Sequence, residues 1–497
     1  MCVGHFLALM KHFADLSNAP AYVKYYENID GMVNLWYNLI ECSNMEGKMN
    51  KNFLQKAEAY LPAIKSTTIK PLPKKVVLNK GDSLVIDLGN HYVGYFSYVM
   101  KKVTEYIDAP ARLVIRFCEV ERELDDDYED YNGWLSASWL QEEVVNVDFP
   151  GRFKLPRRYA ARYIRITVKY TPKPIELSSF IFKAVSSADT TALIPCEIGD
   201  PEIRKIDTVA VNTLKNCMQR VFEDGPKRDR RLWIGDLRLE ALANYYTFNN
   251  YDIVKRCLYL FAATDRNSYG FMPGFLYEYP KYESGSWHLE DYSLLYVCSL
   301  CDYLEHSGDV DTFRDLFATA KSIVDGAIAT LDDDGFMTTP ADGDVFIDWC
   351  PGLEKMTALH GVYLYTLDLW CNALMTAGMT DVLPYYVEKI AEGRTNAQLK
   401  LYDYDKKAFL NSRDNYQYSV HATAWMILGG VLDEEEGREV LLAALNSPDS
   451  VKPFTPYMHH YAVAALASVG LIDEVEKYIK NIWGGMVALG ADTFFEA

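Results

Sequence analysis

The hydrophobic period of this chain changes from two to 3.6 near residue 195, and that switch constrains its fold more than any other feature. From about 68 to 188, short runs rich in β-branched and aromatic residues (KVVLNKG, DSLVIDLGN, YVGYFSYVM, ARLVIRFCEV, EVVNVDF, YIRITVKY, SSFIFKAV) alternate with turn residues. Val85 and Asp87, Arg112 and Val114, and similar alternations fit strands buried on one face, which predicts an antiparallel sandwich of jelly-roll type. After Pro195, Leu239, Leu242, Ala243 and Tyr246 make one helical stripe, and Leu364, Leu367, Cys371 and Leu374 another. Helices are expected near 201–222, 236–248, 251–263, 290–307, 310–330, 356–376, 381–400, 418–430, 434–445, 457–468 and 472–483. Eleven or twelve helices joined by Gly, Pro and Asp loops suggest pairs closed into an (α/α)6 toroid. No sequence repeat of fixed period is present, so a regular solenoid is the weaker alternative. The chain reads as multidomain, all-β then all-α: a helical or irregular segment over 1–67, a β-sandwich over 68–190 and an (α/α)6 barrel over 197–497.

A net charge of −19, spread along the chain, repels phosphate backbones and anionic membranes, so neither nucleic acid nor membrane is an expected partner. No stretch reaches the roughly 18 apolar residues of a membrane helix. With 36 Tyr and 9 Trp, the chain carries many flat apolar faces with a hydrogen-bonding edge, the kind that bind sugars, although most such rings fill cores. The ten cysteines follow no compact spacing, and no disulfide framework is expected. Cys298 and Cys301 form a lone CxxC on one face of an amphipathic helix with Leu294 and Val297, which favours core filling over metal or redox work. No metal and no cofactor are expected. The N-terminal MCVGHFLALMKHF has a short apolar run without a basic leader or a clear cleavage site, which points to a cytoplasmic protein.

The densest polar cluster runs from Glu223 to Asp236 (EDGPKRDRRLWIGD) between two expected helices, with Gly225, Pro226 and Gly235 marking a loop. Four carboxylates among four cations, with Trp233 in their midst, suit a polar pocket lined by a sugar-stacking ring. A solvated loop, with Asp236 capping the next helix, is the plainer reading.

DGPKRDRRLWIGD resembles the signature of glycoside hydrolase family 78, the α-L-rhamnosidases. The resemblance extends over roughly residues 75 to 497: DLGNHYVGYFSYVM, IRFCEVERELD and PRRYAARYIRI are similar to the family's β-domain, and GSWHLEDYSLL, GDVFIDWCPGLEK, TPYMHHYAVAAL and WGGMVALGADTFFE to its later barrel blocks. It implies that Asp229 is the general acid and Glu496 the general base. By the same resemblance Asp224 and Asp236 bind sugar hydroxyls, and Trp233, Trp287 and Trp349 are pocket aromatics. Arg228 belongs to the basic run of the motif, Asp291 and Asp348 lie in acid-contributing blocks, and His459 and His460 are either within reach of the site or satisfied core histidines. The implied partner is a rhamnose-containing glycoside; oligomeric state is left open. Inversion needs a protonated acid and a carboxylate base roughly 6.5–9.5 Å apart, with a water between base and sugar.

Two departures from the family pattern qualify the assignment. Many members carry Glu rather than Asp at the acid position, which keeps Asp224 and Glu223 as alternatives. Arg228 and Arg230 also flank Asp229, and an adjacent cation opposes protonation. Family chains usually continue into a C-terminal β-domain, so a short variant or a truncated chain is expected here. Two other readings stand beside hydrolysis: a non-catalytic sugar-binding protein with a degenerate pocket, and another (α/α)6 glycosidase.

Overall fold

The computed structural model describes residues 49–496 except 105, 127, 130 and 132–136, and only the backbone of Ser138. The N-terminal MCVGHFLALMKHF run and most of the 1–67 segment lie outside the described residues. What is described of that segment is helix α1 (Lys51–Ala59), capped by the Asn50 side chain, and the start of the sheet. α1 packs on the barrel, where the buried Arg256 guanidinium donates to Ala57 O at 2.7 Å.

Eight strands, β1 (Lys65–Ile69), β2 (Lys75–Leu78), β3 (Ser83–Lys102), β4 (Ala111–Cys118), β5 (Glu142–Val147), β6 (Gly151–Lys154), β7 (Tyr159–Tyr170) and β8 (Ile175–Ser186), form one antiparallel sheet in the order β1-β8-β3-β7-β4-β5, with β2 on β8 and β6 on β3. The sheet is continuous because β3 is long: its first half pairs with β7 and its second half with β8 and β6. The inward phase is Ile86 and Leu88 on β3 and Leu113 and Ile115 on β4, while Val85 faces out. On β8 the phase changes. Ser179 (φ 51°) inserts an extra residue between the pairs Val99–Ser178 and Ser97–Ile181, so the inward set passes from Ile175 and Leu177 to Phe180 and Phe182.

The helical domain contains α2 (Pro201–Cys217), α3 (Ile234–Tyr245), α4 (Tyr251–Ala262), α5 (Glu290–Ser307), α6 (Val310–Ala329), α7 (Met356–Thr376), α8 (Leu383–Lys400), α9 (Val420–Leu428), α10 (Glu434–Asn446), α11 (Pro456–Ser468) and α12 (Ile472–Ala488). Their ends follow local chemistry. Asp200 caps α2 through the N–H groups of Glu202 (2.8 Å) and Ile203 (3.1 Å), and α5 stops at Gly308 in the left-handed region (φ 69°). α3, α5, α7, α9 and α11 pack successively as an inner ring, and α2 packs on α12 to close the circle. Inner helices are apolar nearly all round: every residue of α5 from Glu290 to Leu304 is buried, Cys298 and Cys301 among them. None of the described helices is long and apolar enough to cross a membrane.

Because outer and inner helices alternate, every outer-to-inner connection emerges at the same end. These connections are long: 218–233, 263–289, 330–355, 401–419 and 447–455. The inner-to-outer connections at the other end are short: 246–250, 308–309, 377–382, 429–433 and 469–471. The first long loop is tied to the sheet. Lys227 Nζ meets Glu119 (3.0 Å) and Glu123 (2.8 Å), Arg158 pairs with Glu223 at 2.5 Å, and Ser186 Oγ donates to Met218 O at 3.0 Å.

Candidate active site

The long loops enclose a cavity of about 480 Å³. Asp224, Arg228, Asp229, Trp233, Asp236, Trp287, Trp349 and Glu496 all line it, drawn from 218–233, the start of α3, 263–289, 330–355 and the segment after α12. Ring closure is what joins them: Arg228 and Glu496, 268 positions apart, form an ion pair.

The 224–233 loop is shaped by its own backbone. Asp224 N–H donates to Arg231 O (3.0 Å), and Arg228 and Arg230 N–H both donate to Gly225 O (2.9 and 3.1 Å), with Arg230 in the left-handed region (φ 55°). This geometry sends the arginines away from Asp229. Arg228 goes to Glu496, Arg230 Nε donates to Pro226 O (3.1 Å), and Arg231 lies over the Phe275 ring (4.4 Å). Asp229 is oriented instead by the indole of Trp233, whose Nε1 donates to Oδ2 at 2.9 Å, and by Arg231 N–H on Oδ1 at 3.3 Å. Trp233 stands edge-on to Trp287 (6.2 Å, 90°), which leans on Trp349 at 6.4 Å; Trp287 Nε1 is in turn held by Asp344 at 2.7 Å. Gly235 is required here, since a Cβ on it would lie 2.5 Å from the Tyr292 ring.

Burial, and after it the charges of Asp236, Asp229 and Glu496, push the Asp224 carboxyl well above the usual carboxylate range, with Arg228 opposing. Asp236 is raised in the same way by burial and then by Glu240, Glu496 and Asp229. Glu240, absent from the sequence-derived set, lines the cavity one helical turn beyond Asp236; burial and Asp224 raise it too, and its Oε2 is buried without a hydrogen-bond partner. Asp224, Asp236 and Glu240 thus keep a proton more readily than exposed carboxyls do, and a protonated carboxyl can donate as well as accept a hydrogen bond. The i, i+4 spacing of Asp236 and Glu240 was the available signal. Trp139, Phe275, Tyr292 and Tyr457 also line the cavity and were likewise missed, because a lone aromatic carries no sequence mark of what it faces.

Three expected binding residues do not line the cavity. Asp291 is 1% exposed, and its carboxylate accepts the N–H groups of Phe346 (3.1 Å) and Ile347 (2.8 Å), pinning the loop that carries Trp349. Asp348, also 1% exposed, accepts from Thr455 Oγ1 (2.6 Å) and Phe454 N–H (2.8 Å) and meets His421 Nε2 at 2.7 Å. Burial pushes the Asp348 carboxyl up, but these bonds outweigh it and hold the group below its usual range. Both acids therefore act as scaffold rather than as sugar ligands. His459 turns to α12, its Nδ1 2.7 Å from Tyr478 Oη, while the adjacent His460 lines the cavity. Glu223, the alternative acid, pairs with Arg158 beneath the loop.

Residues 52–184 match the family model for the glycosyl hydrolase family 78 α-rhamnosidase N-terminal domain, and residues 189–436 that for the bacterial α-L-rhamnosidase six-hairpin glycosidase domain. A rhamnosidase from Klebsiella oxytoca with rhamnose bound is 36% identical, with a TM-score of 0.86 over 91% of this chain and 93% of that one. The family 78 rhamnosidase of Bacillus sp. GL1 (20% identity, TM-score 0.72) shares the fold over 86% of this chain and 44% of its own. The Streptomyces avermitilis α-L-rhamnosidase complexed with L-rhamnose (14% identity, TM-score 0.62) does so over 87% and 40%. This chain thus spans less than half the length of those two. No curated protein matches the sequence.

Proposed function

The chain belongs to glycoside hydrolase family 78, and from that premise we propose that it hydrolyses terminal α-L-rhamnosides by inversion, with Asp229 as proton donor and Glu496 as base. The observation that carries this reading is the Arg228–Glu496 pair, which brings the end of the described chain onto the loop of Asp229 in a cavity walled by tryptophans. A rhamnosyl ring has apolar C–H faces suited to Trp233, Trp287 and Trp349, and hydroxyls suited to carboxyls that both donate and accept. Asp224 and Asp236 supply these. The Trp233 indole donates to Oδ2 of Asp229 and the Arg231 N–H, at a longer 3.3 Å, to Oδ1. The carboxyl is thus oriented at both oxygens, and Oδ1 is the more weakly held edge to meet the glycosidic oxygen.

In the reaction, the Asp229 proton passes to the leaving oxygen as the C1–O bond breaks. Glu496 takes a proton from a water that attacks C1 from the opposite face. The oxocarbenium-like charge that develops between them is met by the ionised members of the acid cluster. Arg228 holds Glu496 in place through the ion pair.

The test is hydrolysis of 4-nitrophenyl α-L-rhamnoside followed by proton NMR. The β-anomer of rhamnose is expected first. An initial α-anomer overturns inversion, and rhamnose binding without turnover overturns catalysis.

A further inference from the structure

Three residues after Trp287 comes a buried acid that does not itself line the cavity. Glu290, the first residue of α5, is 0% exposed, and both of its carboxyl oxygens are buried without a hydrogen-bond partner. The turn of residues 340–344 lies directly on it. Gly343 N–H closes that turn onto Pro340 O at 3.0 Å, and a Cβ on Gly343 would stand 2.6 Å from Glu290 Oε1. Two backbone bonds hold the turn down: Glu290 N–H donates to Asp344 O (2.9 Å), and Asp344 N–H to His288 O (3.0 Å). The Asp344 carboxylate carries the seat into the site, since Trp287 Nε1 donates to its Oδ2 at 2.7 Å and Trp287 lines the cavity.

The charge on Glu290 decides whether this seat is favourable. The titratable groups around it are Asp291 on its own helix, Asp342 and Asp344 on the turn, His288 and Asp265 on the loop before α5, and Lys355 where the 330–355 loop enters α7. Burial, and after it Asp291, Asp344 and Asp342, push the carboxyl up to about 8, with the nearby Thr339 hydroxyl opposing. Neither basic group answers an anion there. Lys355 Nζ donates to Val345 O at 3.0 Å, and burial, against Asp342, lowers His288. The α5 N-terminus favours the anion, but a helix dipole offsets less than the enclosure of an unpaired charge costs. A neutral acid can stay enclosed beneath Gly343, whereas a carboxylate there needs water, which enters as the turn lifts.

We propose that Glu290 is a positioning residue: as a neutral acid it seats the 340–344 turn, which through Asp344 holds Trp287 in the cavity wall, and its ionisation releases that wall and weakens sugar binding. The effect on sugar binding rests on the rhamnosidase reading; the seat itself does not. The carboxyl is neutral below about pH 8 and ionised above it, so the seat is present at pH 7 and lost by pH 9. Steady-state kinetics on 4-nitrophenyl α-L-rhamnoside would compare wild type with Glu290→Gln, which keeps the shape without the charge, and with Asp344→Ala, which cuts the link to Trp287. The ratio of wild-type KM to that of Glu290→Gln should rise about tenfold from pH 7 to pH 9. The inhibition constant of free rhamnose should follow KM. kcat should keep the same pH profile in both proteins to within about twofold, because Asp229 and Glu496 are untouched. Asp344→Ala should raise KM already at pH 7 and add no further rise at pH 9. Hydrogen–deuterium exchange of the 339–346 backbone, corrected for the intrinsic rate, should speed up between pH 7 and 9 in wild type and stay level in Glu290→Gln.

Parallel KM profiles in wild type and Glu290→Gln, or a difference that lies in kcat instead, overturn the positioning role. Exchange of the turn that is unchanged across pH 8 overturns the seat. If Glu290→Gln does not fold, wild-type exchange decides alone: protection must be lost in the turn while the inner helices keep theirs. Wild-type protein that turns over no rhamnoside overturns the rhamnosidase reading and the effect on KM with it, and exchange still decides the seat.

Discussion

Three arginines crowd Asp229 in sequence, yet in space the carboxylate is held by an indole and a backbone N–H while each guanidinium faces elsewhere. The flanking charges could be counted in the sequence, but the left-handed turn at Arg230 that separates them could not. Asp229→Asn is expected to lower turnover of a disaccharide roughly 10²–10⁴-fold and to spare 4-nitrophenyl rhamnoside, whose leaving group needs less protonation. Equal loss on both in a steady-state assay moves the acid role to Asp224. Glu240 allows a second test. A carboxyl whose folded pKa is raised binds its proton more tightly in the folded state, so its contribution is full below about pH 4 and is lost as pH climbs towards the raised value. Glu240→Gln removes that penalty. Its melting temperature should fall less than that of the wild type between pH 5 and 8, with a relative gain of about 1 kcal/mol or more at pH 8. Parallel curves in calorimetry would show that Glu240 does not titrate with the cluster.

Helices and strands were legible because periodicity reports burial directly. All eleven helical segments expected after residue 195 are present, and the main differences are at their ends: α2 stops at Cys217, where Met218 and Phe222 pair across a tight turn. A single jelly-roll alternation could not foresee the phase change at Ser179, since a bulge costs one residue and leaves no compositional mark. Nor could it tell a pocket acid from a scaffold acid. Asp291 and Asp348 sit in motif-like blocks, but their partners are backbone N–H groups of loops distant in sequence. The α3 N-terminus was more informative, because Gly235 is there for closeness: its Cα abuts the Tyr292 ring across the inner ring of helices. Gly235→Ala should cost about 1–3 kcal/mol by overpacking, read from denaturant unfolding, and should lower activity by shifting Trp233 and Asp236. A variant as stable and as active as wild type would show that α3 and α5 can part without consequence.

At the scale of the molecule, the sheet and the barrel act as one body around the first loop. Burial pushes Glu119 up, yet Lys227 and His91 outweigh it and bring the carboxyl down to about 2. Lys227→Met leaves Glu119 and Glu123 facing each other without their cation. A loss on the order of 2–3 kcal/mol is expected, less than for a fully enclosed pair because Lys227 keeps some contact with water. Calorimetry should resolve two transitions where the wild type shows one, and a single transition in the variant would mean that the remaining contacts couple the domains alone. The long-loop end and the short-turn end of the toroid also set different terms for heredity. An insertion at 308–309 or 469–471 strains two packed helices, whereas one at 263–289 or 330–355 reshapes only the mouth above them. A lineage built on this ring can change its diet one loop at a time while the helices beneath stay as they are.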